Sequence, residues 1–447
     1  MPLRRLLGLS TAASGRLRRG FSTASLRPPW AMVRPFVAVN MPAPGPRASL
    51  RLAAPPCATL LVVPDHLVRP PRDLDPPGDT VYAVFGGYIT ATSGDGLLLL
   101  CFFDVPAHAP VLPGVIMPGG IRGRMLTGVI EEPEVMRFVC NPLSGQLFRL
   151  PDIDGTTKTH QYPDIGILTQ SEHPDQPPDK YAVAVLSNSK DRSFVMRRFL
   201  SQTGKWDKMV ALPSPLPLAR PMEMDLSHEP VAFAGRLWWV DVTCGAFSVD
   251  PFSDRPELRF VELPRGSVAE HMDRKKLRDL VRFRRMGVSE GRMRYAEVSQ
   301  EEPFLLSSFT LDDDASCWTL EYRVPLRRLW PHEDLCEAKP RIAVIDPLNA
   351  DVMHLTVGKQ SLSLDMKTQN LLGCTLIGED YHRASYDLLK PCVLPPWLES
   401  SRIPSSGYCL SHGDSYSVHT YSYLDQRLLI LHVVMLVGGL CIILLCG

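Results

Sequence analysis

The stretch Phe233-Ala-Gly-Arg-Leu-Trp-Trp-Val-Asp-Val-Thr-Cys-Gly-Ala-Phe-Ser-Val-Asp-Pro-Phe252, which continues to Pro264, decides the fold class of this chain. Turn residues interrupt it at Ala234-Gly235 and again at Thr243-Cys244-Gly245. The segments between these turns are too short for ordinary helices, and each alternates side chains between two faces. The stretch therefore predicts three short antiparallel strands joined by tight turns.

The first of these strands has two apolar faces. Leu237 and Trp239 point to one side, whereas Trp238 and Val240 point to the other. A strand with apolar side chains on both faces is usually covered on both sides. We therefore expect this strand to lie between two layers of a β-rich body.

Similar segments, each followed by turn residues, recur along the chain. Strands with turns every eight to twelve residues are typical of sandwiches, barrels and propellers. A unit of about 45–50 residues for four strands favours a propeller-like body of antiparallel meanders. No strict sequence period accompanies this pattern, so the number of blades is not determined. The other predicted segments are 136–140, 146–150, 181–186, 193–200, 304–311, 342–346, 352–357, 361–365 and 371–377.

Five pieces of the chain together carry a family resemblance. They are Gly235–Asp241, Val249–Phe252, Pro256–Pro264, Cys317–Tyr322 and Leu394–Leu398. Together they resemble the plant family of domains of unknown function numbered 1618 (DUF1618), a grass-type family. The resemblance covers roughly 80–398 and is tightest over 228–350. It implies a domain and a lineage, but no established activity and no catalytic residues. A weaker similarity, to F-box-associated propeller repeats, rests on Asn141-Pro-Leu-Ser-Gly145 followed by Leu150-Pro151.

The N-terminal part of the chain has the composition of an organellar targeting peptide. Residues 1–64 contain nine Arg and no Asp, Glu or Lys, although the net charge of the whole chain is zero. Arg- and Ser-rich, acid-free leaders are typical of mitochondrial and plastid import. We expect 1–64 to be a disordered basic leader that serves as a transit peptide for mitochondrial import. The alternative is a basic leader without an import role.

The C-terminal segment is apolar enough to cross a membrane. Residues 428–447 hold one His and no charged residue, and a helix of this length spans about 30 Å. We therefore expect a single-pass transmembrane helix at 428–446, joined by a linker at 399–427 to the β-rich body at 80–398. This would make the protein an intracellular membrane protein with a C-terminal anchor. The alternative is a buried terminal strand or helix.

Motifs that could carry chemistry are weak. Gly287-Val-Ser-Glu-Gly291 matches the nucleophile-elbow pattern, but its charged flanks predict a hairpin turn rather than a nucleophilic Ser289. Asp312-Asp-Asp314 lies between two strand segments and reads as a hairpin tip rather than a calcium loop. No His-Glu-x-x-His motif occurs, and His354 on an apolar strand is expected to be a satisfied sheet residue. We predict no catalytic, cofactor or metal residues.

A basic stretch at 274–285 is the strongest candidate surface for an anionic partner. It holds seven basic residues in twelve, which suits phosphate or acidic lipid. The stretch does not favour nucleic acid as a partner, since Phe283 is the only aromatic residue among its basic residues. The alternative is the solvated face of a short helix. The candidate patch consists of Arg274, Lys275, Lys276, Arg278, Arg282, Arg284 and Arg285.

These observations favour a non-catalytic interaction scaffold that binds a protein of unknown identity and is attached to a membrane through 428–446. A hydrolase-type enzyme with a site at a propeller channel is the second hypothesis. Asp241 and Asp365 would be its first candidate acids, because each ends an apolar strand, although such carboxylates usually cap turns. An anionic-ligand binder acting through 274–285 is the third.

Overall fold

The computed structural model describes most of the chain between residues 27 and 405. The described ranges are 27–39, 45–69, 81–108, 111–116, 122–124, 128–129, 133–155, 164–173, 176–189, 193–215, 230–268, 279–315, 317–329, 338–377 and 389–405. The expected transmembrane helix at 428–446 lies outside them, as do residues 1–26 and 40–44 of the expected leader. Within the described ranges, no helix combines the length and the apolar character needed to span a bilayer.

The described chain is almost entirely β-structure. In chain order its strands are β1 (Trp30–Val33), β2 (Phe36–Val37), β3 (Ser49–Arg51), β4 (Ala58–Val62), β5 (Val81–Thr92), β6 (Leu98–His108), β7 (Val111–Ile116), β8 (Arg122–Arg124), β9 (Gly128–Val129), β10 (Glu134–Asn141), β11 (Gln146–Arg149), β12 (Ile165–Gln170), β13 (Lys180–Asn188), β14 (Ser193–Leu200), β15 (Lys205–Pro213), β16 (Val231–Phe233), β17 (Arg236–Asp241), β18 (Gly245–Val249), β19 (Arg259–Glu262), β20 (Arg284–Ser289), β21 (Arg292–Val298), β22 (Leu305–Leu311), β23 (Trp318–Pro325), β24 (Arg341–Ile345), β25 (Val352–Val357), β26 (Gln360–Asp365), β27 (Asn370–Leu376) and β28 (Lys390–Val393). Short 3₁₀ helices occupy Asp65–Leu67, Ile153–Gly155, Leu326–Leu329 and Pro396–Glu399.

These strands build a propeller of six blades. Blades 3 to 6 are four-stranded antiparallel meanders made in sequence by β12–β15, β16–β19, β20–β23 and β24–β27. Blade 2 has the order β11-β10-β6-β5-β2, with β9 also paired to β6, and blade 1 has the order β28-β1-β4-β3. The strands β28, β5, β12, β16, β20 and β24 contact one another in turn around a closed ring. They form the inner wall of the propeller.

Blade 1 joins the two ends of the folded chain. β1 pairs antiparallel with β28, so that Trp30 lies opposite Val393 and Val33 lies opposite Lys390. On its other side β1 runs parallel to β4. The expected leader boundary at residue 64 is therefore wrong, because residues 30–62 contribute four strands to the body. The Arg-rich composition concealed them, and the antiparallel partner of β1, which is β28, lies more than 300 residues away.

The C-terminal boundary also moves outward. The expected linker began at residue 399, but the chain packs on blade 2 beyond that point. The Asn141 side-chain amide donates to Leu398 O at 2.8 Å, and the Ile403 backbone N–H donates to Gln146 Oε1 at 2.8 Å. Ile403 is buried. These contacts make residues up to 403 part of the folded body.

The hydrophobic core is divided among the interfaces between blades. One cluster joins blades 1, 2 and 3, and separate clusters fill the interfaces of blades 3 and 4, 4 and 5, 5 and 6, and 6 and 1. The two faces of β17 separate as the sequence predicts. Trp239 packs with Phe194 of blade 3, whereas Trp238 shares a cluster with Tyr295 of blade 5. Both interfaces are apolar because each blade presents apolar side chains on both faces.

Candidate functional site

Two cations bridge the inner strands of the propeller. Arg285, on β20, donates Nη1 to Ala343 O at 2.7 Å and Nη2 to Leu389 O at 2.5 Å. Lys390, on β28, donates Nζ to Thr90 O at 3.0 Å. Both side chains are buried. Together they join blades 5, 6, 1 and 2, and a planar guanidinium with five donors suits such a multiple contact.

Other arginines join neighbouring blades in the same way. Arg284 donates Nη1 to Val242 O and Ser267 O of blade 4, at 2.7 and 2.6 Å, and its Nε lies 3.6 Å from Glu297 Oε2. Buried Arg198 of blade 3 donates to Pro251 O and Ser253 O of blade 4. The charge-assisted hydrogen bonds from these arginines satisfy backbone carbonyl groups that have no partner in a neighbouring strand.

The basic stretch at 274–285 therefore divides. Arg284 and Arg285 point into the protein and are bonded to backbone carbonyl groups, which is not the exposed arrangement that the sequence analysis expected for them. Arg282 keeps 37% of its side chain exposed and lies 3.9 Å from Asp279. The remaining four members of the candidate patch lie outside the described residues, so the patch as a whole stays a prediction.

His354 forms a buried polar cluster in blade 6. Its Nδ1 lies 3.0 Å from Ser363 Oγ, and its Nε2 lies 3.4 Å from Asp346 Oδ2. The indole of Trp30, from blade 1, meets the imidazole edge-on at a centroid distance of 5.2 Å. The prediction that His354 is a satisfied sheet residue is confirmed. Ser363 and Asp346 were missed, although Asp346-Pro-Leu-Asn reads as a turn that a carboxylate caps.

A serine, an imidazole and a carboxylate in series have the composition of a hydrolase triad. Here, however, the serine faces Nδ1 and the acid faces Nε2. All three residues are buried, and Asp346 also accepts the backbone N–H groups of Leu348 and Asn349, at 2.8 and 3.0 Å. Polar contacts join β25, β26 and the turn after β24 within blade 6, and the ring contact with Trp30 connects this cluster to blade 1.

The candidate acids of the enzyme hypothesis cap turns. Asp241 accepts the backbone N–H of Thr243 at 2.8 Å, and Asp365 accepts those of Lys367 and Thr368, both at 2.9 Å. The backbone N–H of Thr368 is the main cause of the lowered pKa of the Asp365 carboxyl, and the backbone N–H of Lys367 contributes less. The two acids stand at the ends of β17 and β26, in different blades. The structure does not bring them together.

The two motif-like turns are hairpins, as predicted. Ser289 is fully buried at the end of β20, and the turn that follows uses Glu290 and Gly291 with φ of 49° and 71°. Positive φ at both positions is the geometry of a tight two-residue hairpin. Asp312 accepts the Cys317 backbone N–H at 3.1 Å across the β22–β23 turn. Among the described residues, no group of three or more His, Cys, Asp and Glu could hold a metal ion.

A groove opens at the rim, between blades 2 and 3. Its cavity volume is about 350 Å³, and we call it the rim groove. Its lining includes Pro151 and Asp154, which follow β11, and Arg197 of β14, together with Trp206 and Lys208 of β15. Asp152, Gly155, Gly204, Lys205 and Asp207 complete the lining.

The indole of Trp206 is fixed in the rim groove. Its Nε1 donates to Pro151 O at 2.7 Å, and its ring contacts Phe199 at a centroid distance of 5.8 Å. Sequence reasoning did not single out this groove. The available signal was a tryptophan among charged residues just after a turn, in Gly204-Lys-Trp-Asp-Lys208.

One family model matches part of the chain. Residues 239–354 match the model of the family described as "Protein of unknown function (DUF1618)", which confirms the predicted resemblance to this family over these residues. The comparison with curated proteins gave no match. Two similar solved structures are a crystal structure of the mitotic checkpoint complex and a candidate 6-phosphogluconolactonase from Bacteroides fragilis. The first has 9% identity and a TM-score of 0.30, over 76% of each chain. The second has 10% identity and a TM-score of 0.27, over 79% of this chain and 97% of the other. Neither likeness is close enough to bear on function.

Proposed function

We propose that this chain, whose residues 239–354 match the DUF1618 family model, is a non-catalytic protein-interaction scaffold built on a six-bladed β-propeller. A propeller can hold a ligand at its centre or at its rim. The proposal concerns which of these surfaces is used, and it places partner binding on the rim.

The observation that supports this proposal most is the bonding of the inner strands. Arg285 and Lys390 point their charges at backbone carbonyl groups of the neighbouring blades and join four of the six inner strands. These cations therefore hold the propeller together instead of facing a substrate. Large apolar side chains, in contrast, are exposed on the outer strand β27, where Leu372 and Leu376 are 59% and 74% exposed.

Cross-linking of the full chain in native cell extract, with the cross-linked positions mapped by mass spectrometry, tests the scaffold role. We expect a small, recurring set of proteins cross-linked to rim positions.

In parallel, a fluorophosphonate probe, which labels activated serines, tests the hydrolase hypothesis. We expect no labelling of Ser289 or Ser363, and a Ser363→Ala variant should keep the same cross-links. Cross-links that are no more frequent than those of the heat-unfolded chain would contradict the scaffold role. Labelling by the probe that the Ser363→Ala substitution abolishes would also contradict it.

We also propose that a helix at 428–446 attaches this scaffold to a membrane. The uncharged composition of 428–447 supports it, and the basic composition of the N-terminus supports an organellar address. Carbonate extraction of the full chain and of a chain ending at residue 427 tests the anchor. We expect only the full chain to stay in the pellet, and equal extraction of both would contradict the anchor.

We propose that the part of the basic stretch that precedes Arg284 is a surface for an anionic partner, with Arg282 as its described exposed member. Co-sedimentation of the chain ending at residue 427 with vesicles of phosphatidylserine tests it. Reversing Arg274, Lys275, Lys276 and Arg278 to Glu should abolish sedimentation, whereas the exposed lysines Lys339 and Lys367, reversed together, should leave it unchanged. Equal effects of the two variants would contradict it.

A further inference from the structure

We infer that the rim groove is a binding site for an acidic segment of a partner protein. Carboxylates of the segment would contact Lys205 and Lys208, and an apolar side chain would pack beside Trp206. The inference deepens the proposed scaffold role by assigning a partner chemistry to one surface, and it rests on that role.

The charges in the rim groove support an acidic ligand. Each carboxylate that lines the groove already has an arginine partner. Asp154 Oδ2 lies 2.9 Å from Arg197 Nε. The two other pairs, which are Asp152 with Arg149 at 3.9 Å and Asp207 with Arg198 at 3.3 Å, complete the set.

The lysines that line the rim groove are left over from this pairing. In the described part of the chain, the ammonium groups of Lys205 and Lys208 have no hydrogen bond or ion pair with the protein, and both residues are exposed. Lys208 lies opposite Arg197 in the β14–β15 register, on the same face as Trp206. Asp154 already compensates Arg197, so the charge of Lys208 beside it has no carboxylate partner in the groove. The groove therefore presents uncompensated positive charge.

The tryptophan supplies the apolar part of the site. Trp206 is half-buried and lines the groove, while its hydrogen bond to Pro151 O holds the indole in one orientation. A fixed aromatic side chain binds a partner at low cost in conformational entropy, and tryptophans are enriched among the residues that dominate protein interfaces. A cavity of about 350 Å³ has the size of a small ligand pocket or a few peptide side chains.

The arrangement favours a peptide over a nucleic acid. Lysines beside an aromatic ring also suit single-stranded nucleic acid. However, a continuous phosphate backbone would run past Asp152, Asp154 and Asp207, which line the same groove. A peptide carries charge only at some positions, and its backbone N–H groups can donate to carboxylates. An acidic peptide therefore satisfies both kinds of charge.

Fluorescence anisotropy with a labelled octapeptide of alternating glutamate and leucine tests the inference on the chain ending at residue 427. We expect saturable binding at low salt, with a Kd on the order of 10 μM, and at least about tenfold weaker binding to the Lys205→Glu/Lys208→Glu variant. Both lysines are exposed, so the variant should fold. The matched control is Lys339→Glu/Lys367→Glu, which changes the net charge equally on blade 6 and should bind like the unaltered chain.

The other outcomes would overturn the inference. These are equal weakening by the two variants, equal binding of an octapeptide with lysine in place of glutamate, preferred binding of an octathymidylate, or no saturable binding up to 1 mM. Failure of the groove is distinguishable from failure of the scaffold role. In the first case the cross-linking experiment still yields recurring partners at other rim positions, whereas in the second it yields none.

Discussion

Single long side chains join blades that share no strand pairing. Arg285 contributes two charge-assisted hydrogen bonds to carbonyl groups of blade 6 and of the segment that leads into β28. Such bonds contribute about 1.5–3 kcal/mol each, and a buried carbonyl left unpaired adds a penalty of its own. The sequence could indicate a basic residue at this position, but it could not indicate an acceptor that is a backbone atom 58 or 104 residues away.

We expect Arg285→Met to lower the free energy of unfolding by about 2–5 kcal/mol, because it leaves two buried carbonyl groups without donors. Urea denaturation measures this loss. Exposed Arg292 lies on the next strand of the same blade, so Arg292→Met is the control and should change stability by less than about 0.5 kcal/mol. Equal effects of the two substitutions would show that Arg285 does not join the blades.

The stability of the folded chain should depend on pH through Tyr322. Its hydroxyl donates to Asp351 of blade 6, and this hydrogen bond, with burial as the second cause, raises the pKa of Tyr322 to about 12. The unfolded chain loses this proton near pH 10. The stabilisation is therefore present below pH 10 and disappears as the pH rises through 12.

The variant Tyr322→Phe should show a shallower loss of stability between pH 10 and 12 than the unaltered chain, by the equivalent of about one proton. Denaturant unfolding at a series of pH values measures the two slopes. Below pH 9 the two chains should differ by a constant amount. Parallel curves across the alkaline range would contradict the assigned hydrogen bond.

At the scale of the strand, side-chain alternation predicts much of the fold. The alternation in 236–241 correctly places Trp239 and Trp238 on opposite faces, because both faces of a blade must be apolar. The turn signals likewise predict the hairpins around Glu290 and Asp312. The order of the strands could not be predicted from the sequence in the same way. β1 pairs with β28, which lies at the other end of the folded chain, and no local sequence pattern indicates such a partner.

β18 and β19 of blade 4 approach each other closely at Gly245. A Cβ at this position would lie 2.2 Å from Val261 O, a backbone atom that cannot move alone. We expect Gly245→Ala to lower the free energy of unfolding by about 2–4 kcal/mol. At Gly287, on β20, the nearest atom to an added Cβ is Ile345 Cδ1 at 3.5 Å, an ordinary contact. Gly287→Ala should therefore be nearly neutral in the same urea denaturation, and a neutral Gly245→Ala would contradict the register of β18 and β19.

At the scale of the whole molecule, the proposed binding surface is built by several segments together. The rim groove combines Pro151 and Trp206, which lie 55 residues apart and belong to different blades. No spacing in the sequence indicates that they meet, because blade-to-blade contact depends on the closed ring. Arg285 and Lys390 are buried among the inner strands because those strands close into the same ring. Composition alone could not separate these environments.

The central claim is that partners bind at the rim while the inner strands serve the fold. Hydrogen–deuterium exchange on the chain ending at residue 427, with and without the acidic octapeptide, tests it directly. We predict slower exchange at 151–155 and 205–208 in the presence of peptide, with no change at 284–286 and 390–393. Slower exchange at the inner strands with none at the rim groove would contradict the account.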